Sequence, residues 1–133
     1  MAGFVHIDIA ADEPKRAARF YQRVFGWTAT ELEGPEPYIL IAPPDGSGPG
    51  AGIARRTFDW QKATPTIDVA SADETAKAIE AEGGTILIPK TAIPGVGKLV
   101  TFKDTEGNVF AALEAAADNP FVPAKSRARP PPA

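Results

Sequence analysis

The segment FVHIDIA, residues 4–10, holds the chain's single histidine, His6, two residues before Asp8. An imidazole that changes charge near neutral pH, set beside a carboxylate, suits proton transfer or polar ligand recognition. Strand alternation puts Phe4, His6 and Asp8 on one face and Val5, Ile7 and Ile9 on the other, so both polar groups oppose an apolar face. The bland alternative is a histidine satisfied by neighbouring backbone or exposed to water. One imidazole holds no divalent transition ion, because such metals need three or four nitrogen, sulfur or oxygen donors. With no cysteine among 133 residues, disulfides, thiolate metal sites and thiol nucleophiles are all excluded.

Elements that position this pair follow at once. In DEPKRAARFYQRVFGW, Asp12 is the expected N-cap, Pro14 suits the first turn and Gly26 supplies the stop. Ala17, Phe20, Tyr21, Val24 and Phe25 recur at helical period and predict a core stripe that covers Val5, Ile7 and Ile9. Strands are expected near 28–33 and 37–42, then the turn-rich PPDGSGPGAG and a short strand GIARRT. GSGPGAG satisfies a loose dinucleotide-binding pattern. It follows prolines and opens no helix, so it reads as a turn.

Near Thr64 the pattern starts again, with IDVA echoing IDIA. Ser71 and Glu74 form a capping-box pair, Gly83 and Gly84 end a second helix, and strands are expected near 85–88, 98–103 and 108–114. DTEGN is hairpin-turn chemistry, while AIPGVG reads as a longer loop. Thr64, Thr66 and Asp68 repeat the polar face of His6 and Asp8, which suggests two walls of one wet concavity. Phe58 and Trp60, between the modules, either cap that concavity or pack the crossover. Residues 117–133, rich in proline with three basic residues in AKSRARPPPA, read as a tail.

Length and composition fit one domain over residues 1–116, with modules at about 3–56 and 64–114. A net charge of −3 gives no sign of a nucleic-acid partner. No stretch approaches the roughly eighteen apolar residues of a membrane span, and no export signal opens the chain. A cytoplasmic location is the expectation.

Taken together, the paired βαβββ modules, the strand histidine, the Phe20–Tyr21 pair, the FGW after the helix and the KDTEGN turn resemble the glyoxalase, bleomycin-resistance and extradiol-dioxygenase superfamily. The resemblance spans roughly residues 3–114. It implies an α+β fold of curved mixed sheets around a cavity, a homodimer, a small organic ligand, and a divalent metal bound by residues from the first and last strand of each module. His6 matches the first ligand position, with Tyr21 at the expected distance behind it. The second falls at Thr64 or Thr66, and the last strand of module two offers Ala111. GAGIARRT offers no Glu, His or Asp. Three of four implied ligands are therefore missing; Asp8 lies further along its strand, and Glu114 has parity opposite to Ala111.

The expectation is a metal-free, ligand-binding protein that either sequesters a small molecule or runs a metal-independent reaction with His6 as acid or base and Asp8 orienting it. The alternative implied by the resemblance is a metal-dependent lyase, isomerase or dioxygenase whose site is completed across a dimer.

Overall fold

A computed structural model describes residues 2–117, which carry eight strands and two helices. The described residues fall into two units, one from His6 to Thr64 and one from Pro65 onward together with the residues preceding His6. Each contains the strand, helix and three strands expected from the repeat. The proline-rich residues 118–133 lie outside the described residues.

In the first unit, β1 (Phe4–Ala11) leads to α1 (Pro14–Phe25), followed by β2 (Thr28–Leu32), β3 (Tyr38–Ala42) and β4 (Gly50–Arg55). The strands lie in the order β2-β3-β4-β1, with β1 parallel to β4 and the other pairs antiparallel. Ile39, Ile41 and Ile53 are fully buried with Ala11, Ala18 and Ala51, and Ile7, Ile9, Ala17, Tyr21 and Trp27 pack against them. Alternation is the cause: the odd residues of β3 and β4 face α1, and the even residues face away.

Two expectations for α1 are corrected. Glu13, not Asp12, is the N-cap, and it makes no side-chain cap bond. Asp12 is engaged elsewhere, its carboxylate accepting from Arg56 Nε at 3.2 Å and its carbonyl from Arg55. The stripe predicted as core is also only partly so. Phe20, Val24 and Phe25 are more than half exposed, because the four-stranded sheet is covered by the Ala17, Ala18 and Tyr21 edge of the helix. At the C-terminus Gly26 adopts φ 70° and donates to the Gln22 carbonyl, the stop that sequence called for.

In the second unit, β5 (Ala63–Asp68), α2 (Ala72–Ala81), β6 (Thr85–Ile93), β7 (Gly97–Lys103) and β8 (Val109–Ala115) repeat the arrangement. Their order is β5-β8-β7-β6, with β5 parallel to β8. Ser71 Oγ accepts from the Glu74 amide and caps α2 as predicted. Residues 89–93, expected to leave the sheet, extend β6 instead. The strand passes Pro89 by shifting register between Ile86, Ile88 and Thr91, which is how an edge strand tolerates proline. The turn between β7 and β8 is built on the Asp104 carboxylate, which accepts from the Glu106 and Asn108 amides and holds Gly107 at φ 85°. Those bonds, the Asn108 ones first, hold the Asp104 carboxyl below the usual carboxylate range. Among the described residues no helix is long and apolar enough to cross a membrane.

Candidate functional site

His6 and Asp8 point to the same side of β1 and oppose Gly50 and Gly52 of β4 in register. Because those two neighbours lack side chains, the floor beside the pair is bare backbone, and a ring from the next strand can lie across it. Tyr38 at the start of β3 does so. Its hydroxyl sits 2.9 Å from His6 Nε2 and donates to Asp8 Oδ1 at 3.2 Å. The histidine Nε2 and Asp8 Oδ1 are themselves 3.4 Å apart. Residue 52 has to be glycine for this: a Cβ built there would fall on the Tyr38 hydroxyl and within 2.8 Å of its Cε2.

Burial separates the three members. His6 is 9% exposed, whereas the Asp8 side chain is 40% exposed and keeps access to solvent. Tyr38 is pushed well above the ordinary phenol value, first by burial and then by the negative charge and hydrogen bond of Asp8. It is therefore a neutral hydroxyl at any physiological pH, able to donate and accept at once.

Sequence reading brought out His6 and Asp8 and missed Tyr38. A signal was present: Tyr38, Leu40 and Ala42 have the parity opposite to the buried Ile39 and Ile41, and glycine alternates at 50 and 52. The expected strand GIARRT began only at Gly52, with Gly50 and Ala51 in the turn, whereas β4 opens at Gly50. Once they are in a strand, alternate glycines mark where a large neighbour crosses.

The remaining predicted residues are placed as follows. Thr64 lies in β5 and is half-buried. Thr66 and Ala111 are register partners on β5 and β8, 1% and 2% exposed, and Thr101 of β7 pairs with Ala111 from the other side. Asp68, on the same face as Thr66, is 1% exposed. Glu114 faces away from Ala111, as parity required, and its Oε1 accepts from the Ala72 amide at 2.9 Å, stabilising the N-terminus of α2. Phe58 and Trp60 stack with centroids 5.3 Å apart; the turn they occupy is tied to Gln61, whose Oε1 accepts from the Thr57 and Phe58 amides.

Among the described residues no group of three His, Cys, Asp or Glu side chains is placed to hold a metal ion. Within the trio the donors are one imidazole, one carboxylate and a phenol hydroxyl, and the phenol lies against the imidazole Nε2. This donor set does not fit a resident divalent metal.

Two βαβββ units with parallel outer pairing define an α+β protein of the glyoxalase type. The family model for the Glyoxalase/Bleomycin resistance protein/Dioxygenase superfamily matches residues 3–112, and the chain belongs to that superfamily. Among curated proteins it is 26% identical over 120 residues to the anthracycline biosynthesis proteins DauV of Streptomyces sp. (strain C5) and DnrV of Streptomyces peucetius. Each match covers 78% of this chain but only 44% of the relative, so the chain spans less than half the length of either. Among solved structures it is similar to a hypothetical protein from Bacillus halodurans, with TM-score 0.66, 11% identity, and coverage of 86% of this chain and 95% of that one. Methylmalonyl-CoA epimerase from Mycobacterium tuberculosis aligns with TM-score 0.64, 16% identity and coverage of 86% and 88%. At such identities these likenesses establish the fold alone.

Proposed function

We propose that the protein binds a small organic molecule at His6, Tyr38 and Asp8 without a resident metal, either sequestering it or turning it over by acid–base chemistry. One observation carries the reading: the Tyr38 hydroxyl lies 2.9 Å from His6 Nε2 and donates to Asp8 Oδ1 at 3.2 Å, which groups three polar side chains on one sheet face with a single imidazole and a single carboxylate among them. Polar groups grouped on a sheet face, with the most buried member held by the others, are what fixes the orientation of an otherwise apolar ligand. By the repeat, Thr66 and Ala111 are proposed as ligand-binding residues of the second unit taken by itself, and Thr64 as one of the first. The similarity to two anthracycline biosynthesis proteins makes an anthracycline the first ligand to try. A cytoplasmic homodimer is the form proposed for the working protein.

The test is metal content of protein purified without chelator, followed by anthracycline binding measured by calorimetry and recovery of the ligand by chromatography. The expected result is metal far below one equivalent and saturable binding weakened by His6→Ala. Ligand returned unchanged identifies sequestration, and ligand consumed identifies a reaction. Stoichiometric metal that disappears in His6→Ala would overturn the proposal in favour of a metal-dependent enzyme.

A further inference from the structure

Helix α1 carries a second surface, on the face of its sheet opposite His6. Its sequence PKRAARFYQRVF includes Lys15, Arg16, Arg19 and Arg23 and no acidic side chain. Phe20, Val24 and Phe25 are each more than half exposed. Tyr21 joins the two phenylalanines into one patch: its ring lies edge-on to Phe20 at 5.3 Å and stacks on Phe25 at 6.3 Å and on Trp27 at 5.6 Å. Val24 lies one turn beyond Phe20 and continues the patch. Contiguous exposed apolar groups of this kind mark a contact surface.

Charge decides what can cover it. Arg16 pairs with Glu13 and Lys15 with Glu31, but Arg19 and Arg23 have no carboxylate partner among the described residues. Helical spacing sets Arg16 and Arg23 beside Phe20, and Arg19 and Arg23 one turn apart, about 6 Å along the axis. A second copy docked by the same face would bring these arginines against their own equivalents. Residues 118–133, with Lys125, Arg127 and Arg129 against Asp118 alone, carry the wrong sign as well. Aromatic side chains and arginine are the types enriched at protein interfaces, and the planar arginine fork takes a carboxylate through two hydrogen bonds. We propose that this face of α1 docks an acidic amphipathic helix of another protein, its carboxylates one turn apart on Arg19 and Arg23 and its apolar side chains over Phe20, Val24 and Phe25. The surface lies away from the His6 trio, so the proposal goes beyond the ligand-binding reading and does not depend on it.

The probe is a synthetic peptide of about four helical turns, with glutamates recurring at i, i+4 beside a stripe of leucines, and its binding to the full chain is followed by fluorescence anisotropy. Saturable binding that weakens with added salt is expected. Arg19→Gln with Arg23→Gln should weaken it by about tenfold or more, and Phe20→Ser, at an exposed position, should do the same. Lys62→Gln with Lys77→Gln removes as much charge from exposed sites elsewhere and should leave binding unchanged. The same peptide with lysine in place of glutamate should not bind. Absence of saturable binding, or equal loss in the Lys62 and Lys77 variant, would overturn the proposal. So would binding to phosphatidylserine vesicles in place of the peptide, which would make the face a lipid contact. A dimer that Phe20→Ser turns into monomer on sedimentation would likewise overturn it, giving the face to a second copy. Ligand binding at His6, measured on the same variants, is expected to be unaltered, which keeps a failure here distinct from a failure of the pocket.

Discussion

At His6 the decisive neighbour is a tyrosine thirty-two positions away, and its proton has a consequence for stability. Burial and the Asp8 charge raise the folded-state value of Tyr38 above that of the unfolded chain. A raised value means that the stabilisation is complete below about pH 10 and falls away above it, because only the unfolded state then ionises at this position. Urea unfolding followed into alkaline solution should therefore lose stability in that window, and Tyr38→Phe should flatten the loss. An identical alkaline limb in both proteins would show that the phenol is not held neutral by the fold. At neutral pH the same substitution removes one hydrogen-bonded hydroxyl and is expected to cost about 1 kcal/mol, with the acceptor Asp8 still open to water. Of this trio, His6 and Asp8 are legible in FVHIDIA because alternation within one strand relates them. For Tyr38 the sequence holds only its parity and the alternating glycines, because hairpin and crossover geometry, absent from local sequence, brings it to His6.

Elements explain which substitutions the fold resists. Ile53 is wholly buried at the centre of the first unit, beside Ile39 and Ile41. Ile53→Ala should cost about 2–5 kcal/mol by denaturant midpoint, since lost transfer energy and an unfilled cavity add. Phe20→Ala on the exposed edge of α1 should cost far less, and equal costs would refute the burial that separates them. At α2 the Ser71 hydroxyl and the Glu114 carboxylate satisfy different amides, so Ser71→Ala should cost about 1 kcal/mol and Glu114→Gln should lower stability further in the double variant. Helix boundaries, glycine stops and the DTEGN turn were readable because each depends on a few adjacent residues. The α1 cap and the end of β6 were not. Asp12 was drawn to Arg55 and Arg56, and pairing with β7 carried β6 past Pro89, both effects of chain distant in sequence.

For the whole molecule, the proposed metal-free state has a thermal signature. A bound ion stabilises the folded state by mass action, so chelator should leave Tm unchanged, and added zinc or nickel should not raise it. A ligand of the proposed kind should raise Tm by an amount that grows with its concentration, about 2.7 kcal/mol of stabilisation at a hundredfold excess over Kd. A fall in Tm with chelator would point back to a metal centre.

The repeated strand–helix–strand order and the superfamily resemblance were both determined by sequence, because they depend on residue type, period and spacing along the chain. Tertiary structure alone decided that Gly50 and Gly52 pair with His6 and Asp8, and that Tyr38 crosses them to join the two. It likewise decided that Glu114 accepts from the Ala72 amide at the start of α2. The physical reason is the same in each case. Which side chain meets which across neighbouring strands depends on register, and register is set by the packing of the whole sheet rather than by any one segment.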